Sequence, residues 1–265
     1  MNYTYSMQTD PGLVRTNNED AALFDVRAGV AVLADGMGGY NAGEIASGMA
    51  TTFLMSELIR WLSVVTYDVG PDPITHAIEL CVSKTNLSIF NAANSNPQYA
   101  GMGTTLVLGI FQGNYLVLGH VGDSRCYRLR DGVLSQITKD HSMLQEQVDA
   151  GLLTVQQAST APGKNLLTRA LGVDETVQVE VHTHTVKAYD LYLMCSDGLT
   201  DMVTDAQMAD ILKIPSDLSE IASALVHKAI AGGGRDNITV LLTRAQPSQE
   251  KPGLLSRLLG RTATN

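Results

Sequence analysis

The amino-acid sequence predicts an α+β fold built on antiparallel β-sheet. Strand-like segments are joined in pairs by short turns, as in β-hairpins. The longer helical segments stand between these blocks of strands rather than after every strand. The regular alternation of strand and helix that is typical of a parallel sheet is missing.

The predicted strands are apolar or alternating runs that end at glycine or turn residues. Residues 30–34 form an apolar run that leads directly into Asp35 and Gly36. Two pairs of runs are predicted hairpins because each pair flanks a short turn. They are residues 104–111 with 115–120 around Gln112-Gly113-Asn114, and residues 126–130 with 133–137 around Asp131-Gly132. The other predicted strands are a run with one polar face at 177–181 and the apolar runs at 191–195 and 238–242.

Three longer segments are predicted helices: residues 42–61, 73–93 and 218–231. The first segment places Ile45, Met49 and Phe53 at spacings that make one packing face. The second has proline near its start, and the third is followed by three glycines, which suit a helix end.

The composition limits the class of protein. The chain has 265 residues, of which 45% are hydrophobic, enough for a sizeable core. Its net charge of −9 argues against a nucleic-acid or anionic-membrane partner, because phosphate binding shows as an excess of Lys and Arg. No apolar run approaches the ~18 residues of a membrane span. The excess of acid has two interpretations, solubility or carboxylates that converge on metal.

The cysteines and the first residues point to a compartment. Cys81, Cys126 and Cys195 are scattered and include no C-x-x-C pair, so we expect neither a disulfide framework nor a zinc site. The first residues lack the basic and apolar regions of a secretory signal. We therefore expect a soluble, cytoplasmic protein.

We expect one domain, residues 1–245, followed by a linker and a short C-terminal tail, residues 246–265. The linker prediction rests on the proline- and glycine-containing stretch at 246–253. A short basic, amphipathic patch follows at 254–261, and it can be either a docking segment or a frayed terminus.

Acidic residues stand at the ends of several predicted strands. Asp35, Asp197 and Asp236 lie where a strand pattern meets a glycine or a turn, and Glu19-Asp20 precedes an apolar segment. Acids at strand ends project from a rigid scaffold into a shared rim. Their oxygens are the ligands that Mg²⁺ and Mn²⁺ prefer. Each acid taken alone can equally be a turn-former or a cap, and spacing does not show that they converge.

Six short motifs follow one another along the chain. They are GLVRTNNED at 12–20, DGMGG at 35–39, GTT at 103–105, GDSR at 122–125, SDG at 196–198 and GRDN at 234–237. They stand in the order found in metal-dependent protein phosphatases of type 2C, and from about residue 9 to residue 242 the sequence resembles the bacterial members of this family, the PPM family. One such motif alone is weak evidence for the family, whereas several motifs in the correct order are specific to it.

The resemblance implies a four-layer sandwich, in which two antiparallel β-sheets are flanked by α-helices and a metal cleft lies at one edge. It implies that Asp35 bridges two metals. Asp197 and Asp236 would complete the protein ligands of one metal, while Glu19 and the Gly36 carbonyl would serve the other.

Three further residues receive roles from the resemblance. Asp20 resembles an acid that holds metal-bound water. Arg15 resembles the family's phosphate-binding arginine, and its planar fork matches phosphate oxygens. Asp123 resembles the acid that, together with Asp197, helps to bind a third metal in bacterial members.

The implied activity is the hydrolysis of phosphoserine and phosphothreonine in proteins. Two Mn²⁺ or Mg²⁺ ions, with a third assigned near Asp123, would activate a water for in-line attack on phosphorus. Arg15 and the metals would neutralise charge on the phosphoryl oxygens. The expected partners are phosphoproteins and a cognate Ser/Thr protein kinase in signal transduction, and the expected state is a monomer.

The chain departs from the family pattern at Tyr40, where many bacterial relatives have histidine. The donor of a proton to the leaving alkoxide is therefore unassigned between a metal-bound water, Tyr40 and another histidine. Residues 141–171 resemble the family's flap, which lies beside the cleft. This segment can either select phosphopeptides or be an ordinary surface excursion.

Other functions fit the sequence less well. A dinucleotide-binding loop at Gly36-Met37-Gly38 lacks its third glycine, because Asn41 stands there. The cysteines lack the phosphate-loop pattern of a cysteine-nucleophile phosphatase. A pseudophosphatase, which uses the fold only for binding, is the alternative function, although every expected metal acid is present. His182 and His184 continue the polar positions that alternate with Val177, Val179 and Val181, as on a solvated strand face, and His120 is expected to pack at a strand end.

Overall fold

The computed structural model describes residues 1–39, 42–65, 70–158, 161–163 and 166–248. In chain order the strands are β1 (Asn2–Asp10), β2 (Asp20–Asp25), β3 (Val30–Met37), β4 (Gly103–Thr104), β5 (Leu106–Gln112), β6 (Tyr115–Val121), β7 (Arg125–Arg130), β8 (Val133–Gln136), β9 (Glu180–Thr185), β10 (Leu191–Cys195) and β11 (Ile238–Gln246). The helices are α1 (Ala42–Val64), α2 (Pro71–Ser95), α3 (Met143–Asp149), α4 (Val155–Ala158), α5 (Asp197–Thr200), α6 (Asp205–Leu212) and α7 (Leu218–Ala231), and a 3₁₀ turn covers Pro97–Tyr99.

The strands form two antiparallel sheets. The first sheet has the order β1-β11-β10-β7-β8, and the second has the order β2-β3-β5-β6-β9, with β4 paired to β3. Both predicted hairpins are present, β5 with β6 and β7 with β8. The turn between β7 and β8 places Asp131 and Gly132 at φ values of 51° and 78°, which explains its Asp-Gly sequence.

Apolar side chains hold the sheets and helices together in layers. On β3, Val30, Val32 and Ala34 pack with α1 and α2, while Ala31 and Leu33 belong to the cluster between the two sheets. A strand that is buried on both faces needs a continuous apolar run, which is the pattern at 30–34. A separate apolar cluster joins the first sheet to α5, α6 and α7. The predicted four-layer α+β sandwich is confirmed.

Several elements differ from the sequence prediction, which did not include β2, α5 or α6. The strand predicted at 177–181 begins only at Glu180, as β9. Strand β1 was not predicted, because its sequence NYTYSMQTD is largely polar. It forms through pairing along its whole length with β11, from Asn2 opposite Gln246 to Asp10 opposite Ile238. An edge strand with one partner can remain half exposed, so its sequence carries little apolar signal.

Cys81, Cys126 and Cys195 are buried and unpaired. Among the described residues, no helix is both long and apolar enough to cross a membrane. Strand β11 extends to Gln246, one residue into the predicted linker. The amphipathic patch at 254–261 lies outside the described residues, and the domain boundary stays a prediction.

Candidate metal centre and active site

One cavity of about 230 Å³ collects five of the six acidic side chains that the sequence analysis singled out, all except Asp20. Its lining includes Arg15, Glu19, Asp35, Gly36, Asp123, Asp197 and Asp236. The acids come from both sheets, since Asp35 is on β3, Asp123 follows β6, and Asp197 and Asp236 lie beside β10 and β11. Convergence, which spacing could not establish, is therefore a property of the folded chain.

Pairing between β2 and β3 places Asp20 directly opposite Asp35. The Gly36 N–H donates to the Glu19 carbonyl oxygen at 3.0 Å, which brings the strand end against the preceding loop. A Cβ on Gly36 would lie 2.1 Å from the Gly43 oxygen and 2.6 Å from the Glu19 oxygen. Only glycine allows this approach of β3, the loop and α1.

Threonines in the GTT motif hold the Asp35 backbone. The Asp35 N–H donates to Thr105 Oγ1 at 3.0 Å, and the hydroxyl of Thr104 donates to the Asp35 carbonyl oxygen at 2.8 Å. Both threonines are buried. They were not among the predicted site residues, although they lie in a motif that was recognised.

Asn237 and Ser196 tie the segments of the site together, and neither was predicted to have a role. Asn237 Oδ1 accepts from the Glu19 N–H at 2.8 Å, and its Nδ2 donates to the carbonyl oxygens of Pro11 and Asn17 at 3.1 and 2.8 Å. The Ser196 hydroxyl donates to Asp20 Oδ2 at 2.7 Å. Asn237 follows Asp236 and Ser196 precedes Asp197 in the recognised motifs, and this position next to a predicted ligand could have indicated a role for each of them.

The carboxylates of the cavity repel one another in a desolvated place. Burial is the main cause that raises the pKa of Asp35 well above its usual range, and the neighbouring charges of Asp20, Asp197 and Asp123 add to it. Burial followed by the charges of Asp123 and Asp236 raises the pKa of Asp197 in the same way. Burial also raises the pKa of Asp20 and of Asp123 to about 6.

The site fits hard divalent cations. Its donors are carboxylate and carbonyl oxygens, the ligand type that Mg²⁺ and Mn²⁺ take. Asp20 Oδ1 is buried and has no hydrogen-bond partner among the described residues, which is costly unless water or an ion satisfies it. Positive charge in the cavity would also offset the repulsion between the acids.

Arg15 stands at the rim of the cavity with its side chain 52% exposed. Its Nη2 donates to Asp236 Oδ2 at 2.9 Å. An exposed ion pair contributes little stability, so this contact mainly orients the guanidinium toward the cavity.

Asp123 faces the main cavity and also a neighbouring one of about 380 Å³. The guanidinium of the neighbouring Arg125 donates to both carboxylate oxygens of Asp140, at 2.6 to 3.0 Å. Asp123 therefore stays directed at the cavities rather than neutralised by its neighbour.

The segment at 141–171 borders the site. Two short helices, α3 and α4, are separated by a segment that contains Gly151, and Leu167 lines the cavity. Tyr40 and Asn41 lie outside the described residues. His182 is exposed beside Glu180 and His120 is buried at the end of β6, both as expected, whereas His184 is half-buried with its Nε2 shielded from solvent.

Comparison with known proteins decides the family. The family model for protein phosphatase 2C matches residues 14–228. The chain belongs to the protein phosphatase 2C family. The predictions of resemblance, fold and enzyme class are thereby confirmed.

The chain is 38% identical over 246 residues to the serine/threonine phosphatase stp of Listeria innocua, which covers 92% of this chain and 96% of that relative. It is 40% identical over 238 residues to the serine/threonine protein phosphatase PstP of Mycobacterium tuberculosis, which covers 90% of this chain and 44% of PstP. A crystal structure of the catalytic domain of PstP in complex with 2 manganese ions matches with a TM-score of 0.80 at 38% identity, covering 92% of this chain and 99% of that one.

Cation binding should stabilise the folded protein. Mn²⁺ should raise the thermal unfolding midpoint, because a ligand at 100 times its Kd stabilises the folded state by about 2.7 kcal/mol. Calorimetry in chelator and then in millimolar Mn²⁺ measures the shift. Asp197→Asn should lose most of the shift, whereas Asp210→Asn, on the exposed face of α6, should keep it. An unchanged midpoint in the parent would contradict the cation site.

Proposed function

We propose that the chain hydrolyses phosphoserine and phosphothreonine in proteins, with two Mn²⁺ or Mg²⁺ ions held by the acids of the cavity. The observation that carries the proposal is the convergence of five carboxylates and one arginine on a single cavity. The PstP structure with 2 manganese ions supports the number and kind of ions.

The ligands follow from the residues that line the cavity. Asp35 would contact both ions, Asp197 and Asp236 would complete one set, and Glu19 with the Gly36 carbonyl would complete the other. Asp123, together with Asp197, would hold a third cation. Support for this third position is the orientation of Asp123 toward the cavity rather than toward Arg125.

Bound divalent cations supply a water of lowered pKa and positive charge for the phosphoryl oxygens. Asp20 would accept a hydrogen bond from that water through Oδ1, because Oδ2 is already occupied by Ser196. Arg15 would donate to the phosphoryl oxygens and stabilise the charge that develops on them.

The three cysteines do not support a covalent thiol mechanism. All three are buried, and none is among the described residues that line the cavity. Burial raises the pKa of Cys195 to about 12 and raises that of Cys126 further. A nucleophilic cysteine needs a lowered pKa and access to the substrate.

The pseudophosphatase alternative has no observation in its favour, since all the acids proposed as ligands reach the site. Signalling opposite a Ser/Thr kinase is proposed from the resemblance, a cytoplasmic location is proposed from the unpaired cysteines, and the proposed state is a monomer. Hydrolysis of matched phosphoserine, phosphothreonine and phosphotyrosine peptides, with and without Mn²⁺, tests the function. Turnover of the first two only with Mn²⁺ is the expected result, and metal-independent or absent turnover would refute it.

Loss of a charged ligand should stop turnover without unfolding the protein. Asp35→Asn and Asp197→Asn each remove charge that no amide replaces, and several kcal/mol of charge stabilisation correspond to a fall in kcat of roughly 100-fold or more. Phosphopeptide kinetics at saturating Mn²⁺ measure this, with circular dichroism to check the fold. Asp210→Asn is the matched control. Near-parental activity in Asp35→Asn or Asp197→Asn would exclude the two-cation assignment.

Arg15→Ala should weaken the handling of phosphate while the cation site remains. A hydrogen bond to a charged group contributes about 1.5–3 kcal/mol, so kcat/KM should fall roughly 10- to 150-fold. Arg15→Lys keeps the charge but not the planar fork, so its kcat/KM should lie between those of the parent and of Arg15→Ala. Calorimetric Mn²⁺ titration should show that the cations still bind. Loss of Mn²⁺ binding in Arg15→Ala would show that the arginine serves the metals instead.

A further inference from the structure

Two buried histidines lie behind the turn that carries Asp123. His120 ends β6 and His141 begins the segment beside the cavity, and their side chains are 2% and 5% exposed. The ring centroids are 4.7 Å apart. Neither residue lines the cavity of the proposed catalytic site.

His141 satisfies both backbone polar groups of Gly122. Its backbone N–H donates to the Gly122 carbonyl oxygen at 2.8 Å, and its ring Nδ1 accepts from the Gly122 N–H at 3.1 Å. The His141 carbonyl oxygen in turn accepts from the Thr168 N–H at 2.9 Å. The residue thus joins the Asp123 turn to the segment that borders the cavity.

These contacts determine the tautomer of His141. An amide N–H can only donate, so Nδ1 carries the lone pair and a neutral ring has its proton on Nε2. Glu180 Oε2, an acceptor, lies 3.0 Å from Nε2 and receives that proton's hydrogen bond, so Arg169 Nη1, at 3.3 Å from the same nitrogen, contacts the ring without donating to it. Burial lowers the pKa of His141, which favours the neutral ring.

The same cluster is a poor cation site. Ligand atoms of His120, His141 and Glu180 lie within 4.8 Å of one another, and His120 Nδ1 has no partner among the described residues. A cation on Nε2 of His141 would need a second lone pair on a ring that has already given its only one to Gly122. The guanidinium of Arg169, 3.3 Å from Nε2, would also repel a cation.

The opposite side of the turn is held independently. Gly122 has φ +101°, and a Cβ there would lie 2.7 Å from the Thr105 side chain. Thr105 Oγ1 is 2.7 Å from Ser124 Oγ, while His120 Nε2 lies 2.9 Å from the Ser124 carbonyl oxygen. His141 therefore supplies the polar contacts of Gly122, directly next to Asp123.

We propose that His141 is a positioning residue for Asp123, in which the Nε2–H tautomer, selected by Glu180, holds Gly122 so that the Asp123 carboxylate faces the cavity. This inference rests on the proposed function, in which Asp123 holds a third cation. Residues that orient a metal ligand typically change metal affinity or activity roughly 10- to 100-fold when they are replaced.

A spectroscopic test needs no variant. In the Mg²⁺-loaded, ¹⁵N-labelled full chain at neutral pH, a long-range ¹H–¹⁵N spectrum should show His141 with protonated Nε2 and bare Nδ1. A scalar coupling across the hydrogen bond should join the Gly122 amide nitrogen to His141 Nδ1. A charged ring, or a proton on Nδ1, overturns the inference.

The kinetic test compares two amides at His141. Asparagine can place its oxygen near the position of Nδ1 and accept from Gly122, whereas glutamine extends toward Glu180. His141→Asn should keep most of the parental turnover and Mn²⁺ dependence. His141→Gln should lose roughly 10- to 100-fold in turnover, like Asp123→Ala. His227→Gln, on the exposed face of α7, is the matched control and should behave as the parent.

A double-mutant cycle separates positioning from general stability. His141→Gln combined with Asp123→Ala should be no slower than Asp123→Ala alone, because the histidine acts through that acid. Independent, multiplicative losses, or equal losses in His141→Asn and His141→Gln, overturn the inference while leaving Asp123 as a ligand. Parental activity in Asp123→Ala overturns the third-cation assignment itself, and the Asp35→Asn result then decides separately whether the two-cation site stands.

Discussion

The burial of carboxylates that repel one another in and beside a single cavity is the constraint around which this molecule is built. Asp20, Asp35, Asp123 and Asp197 all have raised pKa values, and burial is the largest cause in each. Such an arrangement costs free energy that apolar packing elsewhere must offset. The three apolar clusters lie on and between the sheets and hold the strand ends rigidly enough to keep like charges together. Divalent cations remove the repulsion, so cation binding and stability are coupled in this fold.

The scaffold meets this constraint by holding the backbone next to each acid. Thr104 and Thr105 bind the N–H and carbonyl groups of Asp35, and Asn237 binds the loop that carries Arg15 and Glu19. Because these contacts occupy the backbone, the carboxylate oxygens are left for ligands. Glycine is required at position 36 because a Cβ there would collide with the backbone oxygens that approach it.

The histidine cluster extends the same principle one layer outward. Thr104 and Thr105 hold the backbone of Asp35 by hydrogen bonds. In the same way, the buried His141 holds the backbone of Gly122, the residue before Asp123. His141 can do this only as one tautomer, and Glu180 on β9 selects it. Glu180, on the edge strand of the second sheet, is thereby connected to the cavity through hydrogen bonds that involve His141 and Gly122, rather than through apolar packing.

Local patterns in the sequence determined the hairpins, the three long helices and the identity of the acids. Turn chemistry at Asp131-Gly132 and the continuous apolar run at 30–34 act over a few residues, so they can be recognised without the fold. The family motifs named the residues at the site, but Asn237, Ser196 and His141 had no predicted role. Their partners are distant in the chain: Asn237 meets Glu19 and His141 meets Glu180. Likewise, the polar edge strand β1 forms only because β11 is present to pair with it. The tertiary structure alone decided that the acids share one cavity, because only the packing of two sheets brings strand ends that are far apart in sequence to the same place.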